Sequence, residues 1–535
     1  MFAKIIKNYL LGKYQKQKTK QNGQDKPFDE DTKLTRNLKD NLMCFKNILG
    51  QNSDFIIREF CFGLREEYKA AIVFIEDMVD KKIINDSIIR PLMYDFNVSS
   101  PKGFKGQKSI DFILKRMVSA GEVKKNDKIQ SLINACLYGE TIFLMDGYAE
   151  ALMIDTKGWQ HRKVEEPDTE VVVRGPREGF VEVLNVNISL LRRKIRHSDL
   201  VIERMQIGEK TSTMVALAYV KDIADQGVVA EVKKRLKRIK TDAIMESGYI
   251  EQFIEDAPYS LFPTVNNSEK PDVVAIKLLE GRVAILIDGT PMVLTVPMLF
   301  LEGFQSAEDY YFRPYYAFFI RLLRFMSFFI SLFAPAVYVA LVSFHQELIP
   351  TPLLYTIAAA REGTPFPVAV EILLIGIFFE IIREAGIRLP RPIGSAISIV
   401  GALVVGQAVV SAGLIGAPII VVVAITALTT FVVNTFFDVL LLYRIILVFA
   451  AAFLGGYGIT IFSLWILIQL NSLRSFGVPY LVPFAPLSVS GLKDTLIRFP
   501  LWAMWNRPHG LSPYNRKRQQ FGLMPRPPRE REGEE

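Results

Sequence analysis

Residues 370–392, VEILLIGIFFEIIREAGIRLPRP, place Glu371, Glu380, Arg383 and Glu384 in a run otherwise apolar and long enough to cross a bilayer. An ionised carboxylate at membrane depth costs several kcal/mol, so such a group faces protein or water, pairs with a cation, or marks an ion pathway. At about 100° per residue Glu380, Arg383 and Glu384 fall on one stripe of a helix, while Glu371 points the other way and lies toward the opposite membrane face. Two chemistries follow. Glu380 and Glu384 pair with Arg383 as a structural or gating ion pair. Glu371 has no local cation and, in a bundle that conducts ions, attracts cations. Thr426, Thr429 and Thr430 offer hydroxyls that either line an aqueous path or bond back to their own helix. Arg361 and Glu362 are a further ion-pair or gating candidate.

Other chemistry is scarce. The chain has no GxxxxGK[ST] loop, no GxGxxG after a strand, no CxxC and no HExxH. Its four histidines, at 161, 197, 345 and 509, have no partner at ligand spacing and are read as surface or capped side chains rather than metal ligands. Glu246, Glu251, Glu255 and Asp256 are read as a solvated helix surface rather than an acid and base pair. Arg174, Arg177 and Glu178, in the turn RGPREG, either clasp a neighbouring subunit or form a local ion pair. No enzyme activity, cofactor, metal or nucleic-acid partner is expected. Cys44, Cys61 and Cys136 are an odd set without metal spacing and are read as reduced core thiols.

The elements that must position these groups divide the chain. Half of the residues are apolar although more than a fifth are charged, and the two classes are segregated. Up to about Arg313 no uninterrupted apolar run approaches the ~20 residues of a spanning helix; from Tyr316 to about Leu470 such runs dominate. The expected fold is an α/β cytoplasmic N-terminal region of two subdomains, followed by an all-α polytopic membrane domain. Residues 1–32 form a basic disordered tail and 33–155 the first subdomain, with strands over 53–62 and 68–78, helices over 108–119 and 127–138, and two strands meeting near Asp146 and Gly147. Residues 156–312 form the second. There 181–196 and 228–242 are helical, LVIERMQIG and STMVALAYVKDIAD are adjacent strands, Pro271 opens a helix closed by Gly281, and Asp288-Gly289 turns a hairpin.

The membrane domain is placed at 313–475. Arg313, Arg321 and Arg324 precede the run 325–344, and the loop beyond it has only Arg361 as a strong cation, so the N-terminal half is cytoplasmic. The charged helix then returns and ends beside Arg383, Arg388 and Arg391. Runs 393–413 and 415–433 follow, joined by a Gly-rich hairpin. In the first of these, Gly394, Ser398, Ala402, Gly406 and Val410 form a small-residue stripe for packing or pore lining. The block 436–470 contains Arg444 and the break GGYG, and is either one long span with a half-helix or two short spans. An even number of spans puts both termini inside. Residues 476–535 are an amphipathic and basic cytoplasmic segment in which 490–505 suits a helix lying in the membrane interface.

The stretches ESGYIEQFIEDAPYSLFPTVNNSEKPDVVAIKLLEGRVAILIDGTP, FQSAEDYY, IRLLRFMSFFISLFAPAVYVALVSFHQELIPTPLL, AAAREGTPFP, REAGIRLPRPIGSAISIVGALVVGQAVVSAG and NSLRSFGVPYLVP resemble the A subunits of the spore germination receptors of endospore-forming bacteria, the GerA family. The resemblance runs from about Asp40 to Pro508. It implies a multi-pass protein of the spore inner membrane that works with a transporter-like B subunit and a lipoprotein C subunit, in contact with membrane lipid. It further implies that the B subunit senses a nutrient germinant and that the A subunit oligomerises into a ligand-gated channel for monovalent cations. The segment FVVNTFFDVLLLY departs from a family pattern that usually carries a proline and serine break before a basic helix. A sister group, the stage V sporulation AF proteins, shares the architecture; the forms REAGIRLPRP and HQELIPTPLL are closer to the receptor subunits. Two other functions compatible with the chain are a non-conducting scaffold that docks soluble germination proteins and a substrate-binding transporter. No Gly/Pro-broken helix pair recurs in two matching halves, which weighs against the transporter.

Overall fold

The structure is a computed structural model of the chain. It describes residues 32–63, 68–95, 122–158, 167, 170–389, 406–488, 491–508, 510–512, 515–520 and 523–525. The basic tail up to 31, the helix expected over 108–119 and most of the run 393–413 lie outside the described residues, as do His161, His509 and Arg391. The chain forms two compact units, one of residues 1–160 with 196–198, the other of 161–195 with 199–535.

The first unit is an antiparallel sheet with helices. Helix α1 (Leu38–Leu49) precedes β1 (Phe55–Phe62) and β2 (Tyr68–Ile75); β3 (Val123–Asn126), α2 (Ile129–Leu137), β4 (Glu140–Met145) and β5 (Ala151–Asp155) complete it. The strand order is β1-β2-β4-β5-β3. Alternation decides the two faces. Ala71, Val73, Ile75, Ile142 and Leu144 pack under α1 and α2 with Phe45 and Leu132, while Ile72, Phe74, Phe143 and Leu152 face a second apolar layer. The cysteines are not all core thiols. Cys136 is buried and Cys44 half-buried, but Cys61 stands exposed on the edge strand β1.

The second unit opens with the same plan. Helix α3 (Leu184–Lys194) precedes β6 (Leu200–Ile207), β7 (Thr213–Val220), α4 (Gln226–Arg238), α5 (Ser247–Ile254), β8 (Asn266–Ser268), α6 (Pro271–Leu279), β9 (Val283–Ile287) and β10 (Val293–Val296). The order β6-β7-β9-β10-β8 repeats that of the first sheet, every pair again antiparallel. The likeness extends to single hydrogen bonds. Asn41 clasps the backbone of Thr35 at 2.7 and 2.8 Å, and Asn187 clasps that of Val181 at 2.6 and 2.8 Å. Asp146 accepts from the Leu38 N–H at 3.0 Å, and Asp288 from the Leu184 N–H at 3.0 Å, so each Asp-Gly turn satisfies an orphan donor at the start of its helix. Gly147 donates to the Arg36 carbonyl and Gly289 to that of Glu182. Gly139 and Gly281, each after the helix that precedes the fourth strand, both have left-handed φ, +92° and +104°. The α/β region is an internal duplication, which the sequence reading did not find.

From Pro314 the second unit becomes helical: α7 (Pro314–Ser343), α8 (Thr351–Arg361), α9 (Val368–Arg388), α10 (Ala417–Val432) and α11 (Phe437–Ser472). Of the run 393–413, residues 406–411 are described and helical. By length and composition two described stretches, Pro314–Ser343 and Asn434–Ser472, are apolar enough to cross a bilayer. The latter is not one straight rod. Gly455 has φ 60° and ψ −140°, outside helical space. Tyr443 donates to Gln469 at 2.7 Å, and its ring lies 6.1 Å from those of Phe462 and Trp465. Twenty-two residues of continuous helix would put Tyr443 and Trp465 roughly 33 Å apart. The chain therefore reverses at Gly455 into two antiparallel arms, 437–454 and 456–472. Phe344 packs against Gly455, and the His345 Nε2 accepts from the Gly456 N–H at 3.1 Å, capping the reversal.

The interfacial helix expected over 490–505 is not formed. Only short 3-10 turns, Gly491–Lys493 and Leu501–Ala503, occur there among the described residues. Pro500 removes a backbone donor, and tertiary partners draw Asp494 and Arg498 out of a helical pattern.

Candidate functional site

The apolar helices are rooted in the second α/β repeat by an aromatic knot. Phe436, between α10 and α11, is fully buried, with ring centroids 5.3 Å from Phe300 and Phe304, 5.6 Å from Phe328 and 6.2 Å from Phe262. Gly303 faces the Phe436 ring so closely that no Cβ fits between them. A fully buried ring contributes about 2 kcal/mol, and each edge contact a further ~1, so the knot is a rigid joint.

A buried charge cluster reinforces it. Arg321, 1% exposed in α7, donates from Nε to Asp309 at 2.8 Å and from Nη1 to Asp494 at 2.8 Å and the Thr495 carbonyl at 2.9 Å. Arg324 also binds Asp309 at 2.8 Å. The Tyr310 hydroxyl donates to Asp494, and burial, then that carboxylate, push its pKa well up. Sequence reading took Arg321 and Arg324 as topological markers. The partners of Arg321 lie in a turn twelve residues back and in a segment more than 170 residues ahead, and Arg324 reaches the same turn fifteen residues back.

Beside this joint a cavity of about 810 Å³ opens between the second repeat and the α10–α11 linker, its wall including Glu170, Lys277, Arg282, Glu302, Asn434 and Asp438. Arg282 donates to Glu302 at 3.1 and 2.7 Å and also binds Glu280, while Lys277 lies 3.4 Å from Glu302. Burial opposes ionisation of Glu302, but Arg282 and Lys277 outweigh it and hold the carboxyl below its ordinary value. Burial, more than any neighbour, pushes the Lys277 ammonium down. The network is an internally neutral set of buried ions.

At the far end of the bundle Glu371 is fully buried in the first turn of α9. Its Oε2 accepts from the Gly416 N–H, at the N-terminus of α10, at 2.9 Å; its Oε1 accepts from Thr364 at 3.2 Å and faces Arg361 at 3.7 Å. The expectation that Glu371 has no local cation is therefore corrected: Arg361 lies ten residues earlier and is brought back by the loop after α8. Within its own chain Glu371 is a latch joining α8, α9 and α10, with the positive end of the α10 dipole on its carboxylate. Glu362, next to Arg361, is exposed and makes no ion pair among the described residues.

At the near end Glu380 pairs with Arg383 at 3.0 Å, as expected, and also with Arg444 of the first arm of α11 at 3.2 Å. Glu384 does not join them; it turns outward to Arg388 at 2.6 Å. Arg383 stacks 3.6 Å above the Phe437 ring. The threonines bond back to their own helix, Thr426 to the Val422 carbonyl, Thr429 to that of Ile425 and Thr430 to that of Thr426. Thr430 also meets Ser331 of α7 at 2.5 Å. Thr429 is the least enclosed of the three.

The surface candidates separate. Glu178 makes local pairs with Lys194 at 2.9 Å and Arg193 at 3.6 Å; Arg174 and Arg177 are exposed. The acidic group near α5 is solvated only in part: Glu246 and Asp256 are exposed, as expected, while Glu251 and Glu255 are partly enclosed. Glu246 caps α5 by accepting from the Gly248 N–H at 2.6 Å, Asp256 binds Arg235 at 2.6 Å, and burial with Glu255 and Glu246 pushes Glu251 up to about 7.

Residues 43–510 match the family model of the Bacillus/Clostridium GerA spore germination protein. The chain belongs to the GerA family of spore germination proteins. The match takes in both α/β repeats, the apolar helices and most of the segment beyond them. Among relatives, Spore germination protein KA of Bacillus subtilis (strain 168) is 45% identical over 496 residues, 92% of this chain and 90% of that protein. The uncharacterized membrane protein YfkQ of the same organism is 39% identical over 507 residues, 94% of this chain and 96% of that protein. The crystal structure of the N-terminal domain of the A subunit of the Bacillus megaterium spore germinant receptor GerK3 is 37% identical, covering 51% of this chain and 99% of that one, with a TM-score of 0.41.

Proposed function

We propose that this chain is the A subunit of a nutrient germinant receptor, seated in the spore inner membrane with both termini cytoplasmic and acting with a transporter-like B subunit and a lipoprotein C subunit. In this reading 33–155 and 156–312 are the cytoplasmic subdomains and 313–475 the membrane domain. Several copies assemble into a ligand-gated channel for monovalent cations, and germinant binding on the partner shifts a closed-to-open equilibrium through a differential affinity of a few kcal/mol. The observation that carries the reading is membership of the GerA family across residues 43–510, helices included.

Glu371 with Arg361 and Glu362, and Glu380 with Arg383 and Glu384, are then the pairs expected to exchange partners on gating, because each set sits where a helix end meets a neighbour. Thr429, with Thr426 and Thr430 behind it, is the candidate for a path between copies. Arg174, Arg177 and Glu178 are candidates for contact with another subunit. The test is a flux assay on the chain reconstituted in liposomes with its B and C partners. Germinant-dependent cation current is expected, weakened by Glu371→Ala. No current, together with unaltered cation release from spores carrying Glu371→Ala, would leave a non-conducting scaffold as the better account.

A further inference from the structure

The two α/β repeats differ in how they are finished. In the first, residues 156–157 run directly on from β5 and close the fold: Lys157 bridges to Val79, the Thr156 carbonyl accepts from the Asp80 N–H at 2.8 Å, and the Thr156 hydroxyl donates to the Gly139 carbonyl at 3.4 Å. This short piece joins two places, the turn after the second strand and the glycine after the second helix. In the second repeat the chain leaves β10 at Val296 for the apolar helices, so no continuous piece remains to do this.

The C-terminal segment does it instead. The Ser512 hydroxyl donates to the Ile223 carbonyl at 2.9 Å, and Asn515 to Asp222 at 2.9 Å, in the turn after β7. Arg507 donates to the Leu279 carbonyl at 2.8 Å, and the Leu511 carbonyl lies against Gly281, where an added Cβ would meet it at 2.7 Å. Leu511 itself is buried with Leu299, Val478 and Val482. The same segment holds the base of α7 at its other end. Asp494 and the Thr495 carbonyl take Arg321, and Arg498 donates to the carbonyls of Phe312 and Tyr310 at 3.1 and 3.2 Å.

We propose that the described residues between 491 and 520 form a strap that completes the second α/β repeat in trans of the bundle and ties it to the base of α7, so that releasing the strap from the repeat loosens the helix base as well. The coupling is physical continuity: one segment with partners at both ends, buried at Thr495 and Arg498 on one side and at Leu511 and Ser512 on the other.

Gly281→Ala tests it. The substitution strains a left-handed residue and strikes the Leu511 carbonyl. Gly289→Ala is the control, because Gly289 has a similar φ of +95° but nothing within 4 Å of an added Cβ. Hydrogen exchange is followed on the full-length protein in lipid nanodiscs, which needs no assumption about channel activity. Gly281→Ala is expected to raise exchange about tenfold both in peptides covering 505–512 and in those covering 312–324, whereas Gly289→Ala changes neither. A strap released with 312–324 still protected overturns the proposal, as does a strap that stays protected. Should Gly281→Ala fail to fold, the double variant Ser512→Ala with Asn515→Ala removes only side-chain bonds and is read by the same two outcomes.

Discussion

Glu371→Gln separates a carboxylate that holds helices together from one that serves passing ions. In the wild type the carboxylate accepts from the Gly416 N–H at 2.9 Å and from Thr364 at 3.2 Å, and faces Arg361 at 3.7 Å. A hydrogen bond to a charged acceptor contributes about 1.5–3 kcal/mol and a neutral one about 1, so neutralisation loses about 1 kcal/mol for each of the two bonds. The α10 dipole adds about 0.5 kcal/mol. Because Arg361 is a quarter exposed, its pair is discounted for solvent screening to about 0.5 kcal/mol. The total is about 3 kcal/mol, with about 4 expected for Glu371→Ala, which also leaves the Gly416 N–H unpaired. The assay is equilibrium unfolding of the purified protein in mixed micelles, with Arg361→Gln and the double variant closing a cycle. A coupling of about 0.5–1 kcal/mol between positions 371 and 361 is expected. A Glu371→Gln protein within 0.5 kcal/mol of wild type whose cation flux is nonetheless changed would refute the latch, since the carboxylate would then face water in the assembled state.

Gly455→Ala is expected to cost roughly 2–5 kcal/mol, from the glycine-only backbone and the approach of Phe344, whereas Gly376→Ala in α9, with open space around it, is expected to be neutral or slightly stabilising. Equal melting temperatures for the two would refute the reversal of α11. Arg282→Met strands Glu302 and is expected to cost about 3 kcal/mol, with part recovered by adding Glu302→Leu; a double variant no more stable than the single would contradict the buried network. Glu251 has a folded-state pKa of about 7, above its unfolded value, so its contribution to stability is complete below about pH 4 and is lost as the pH rises through 7. Glu251→Gln should flatten the fall in denaturation midpoint between pH 5 and pH 8; an unchanged slope would remove Glu251 as its cause.

Local signals in the sequence locate most elements. Pro271 and Gly281 bracket α6, both Asp-Gly pairs turn a hairpin between two strands, and the alternating runs become β1, β2, β6 and β7. What sequence reading misses is set by distant partners. The duplication is carried by a few polar bonds, those of Asn41 and Asn187 and of Asp146 and Asp288, among apolar residues that differ freely. Only the recurrence of an Asp-Gly pair hinted at it. GGYG announces a break in α11, but the direction taken afterwards depends on Tyr443 meeting Gln469 and on His345 meeting Gly456. Mixed cationic and aromatic residues over 490–505 imitate an interfacial helix because the buried demands of Arg321 and Tyr310 on that stretch are tertiary.

The borrowed closure of the second α/β repeat also orders events on the ribosome. Domains fold in the sequence in which they emerge, and the first repeat has the piece that closes it once residue 157 is out. The second cannot be finished until Ser512 and Asn515 have been translated, after the described apolar helices have all been made. A nascent chain stalled after Ser472 but before position 507 would carry an open sheet domain beside an already complete set of apolar helices.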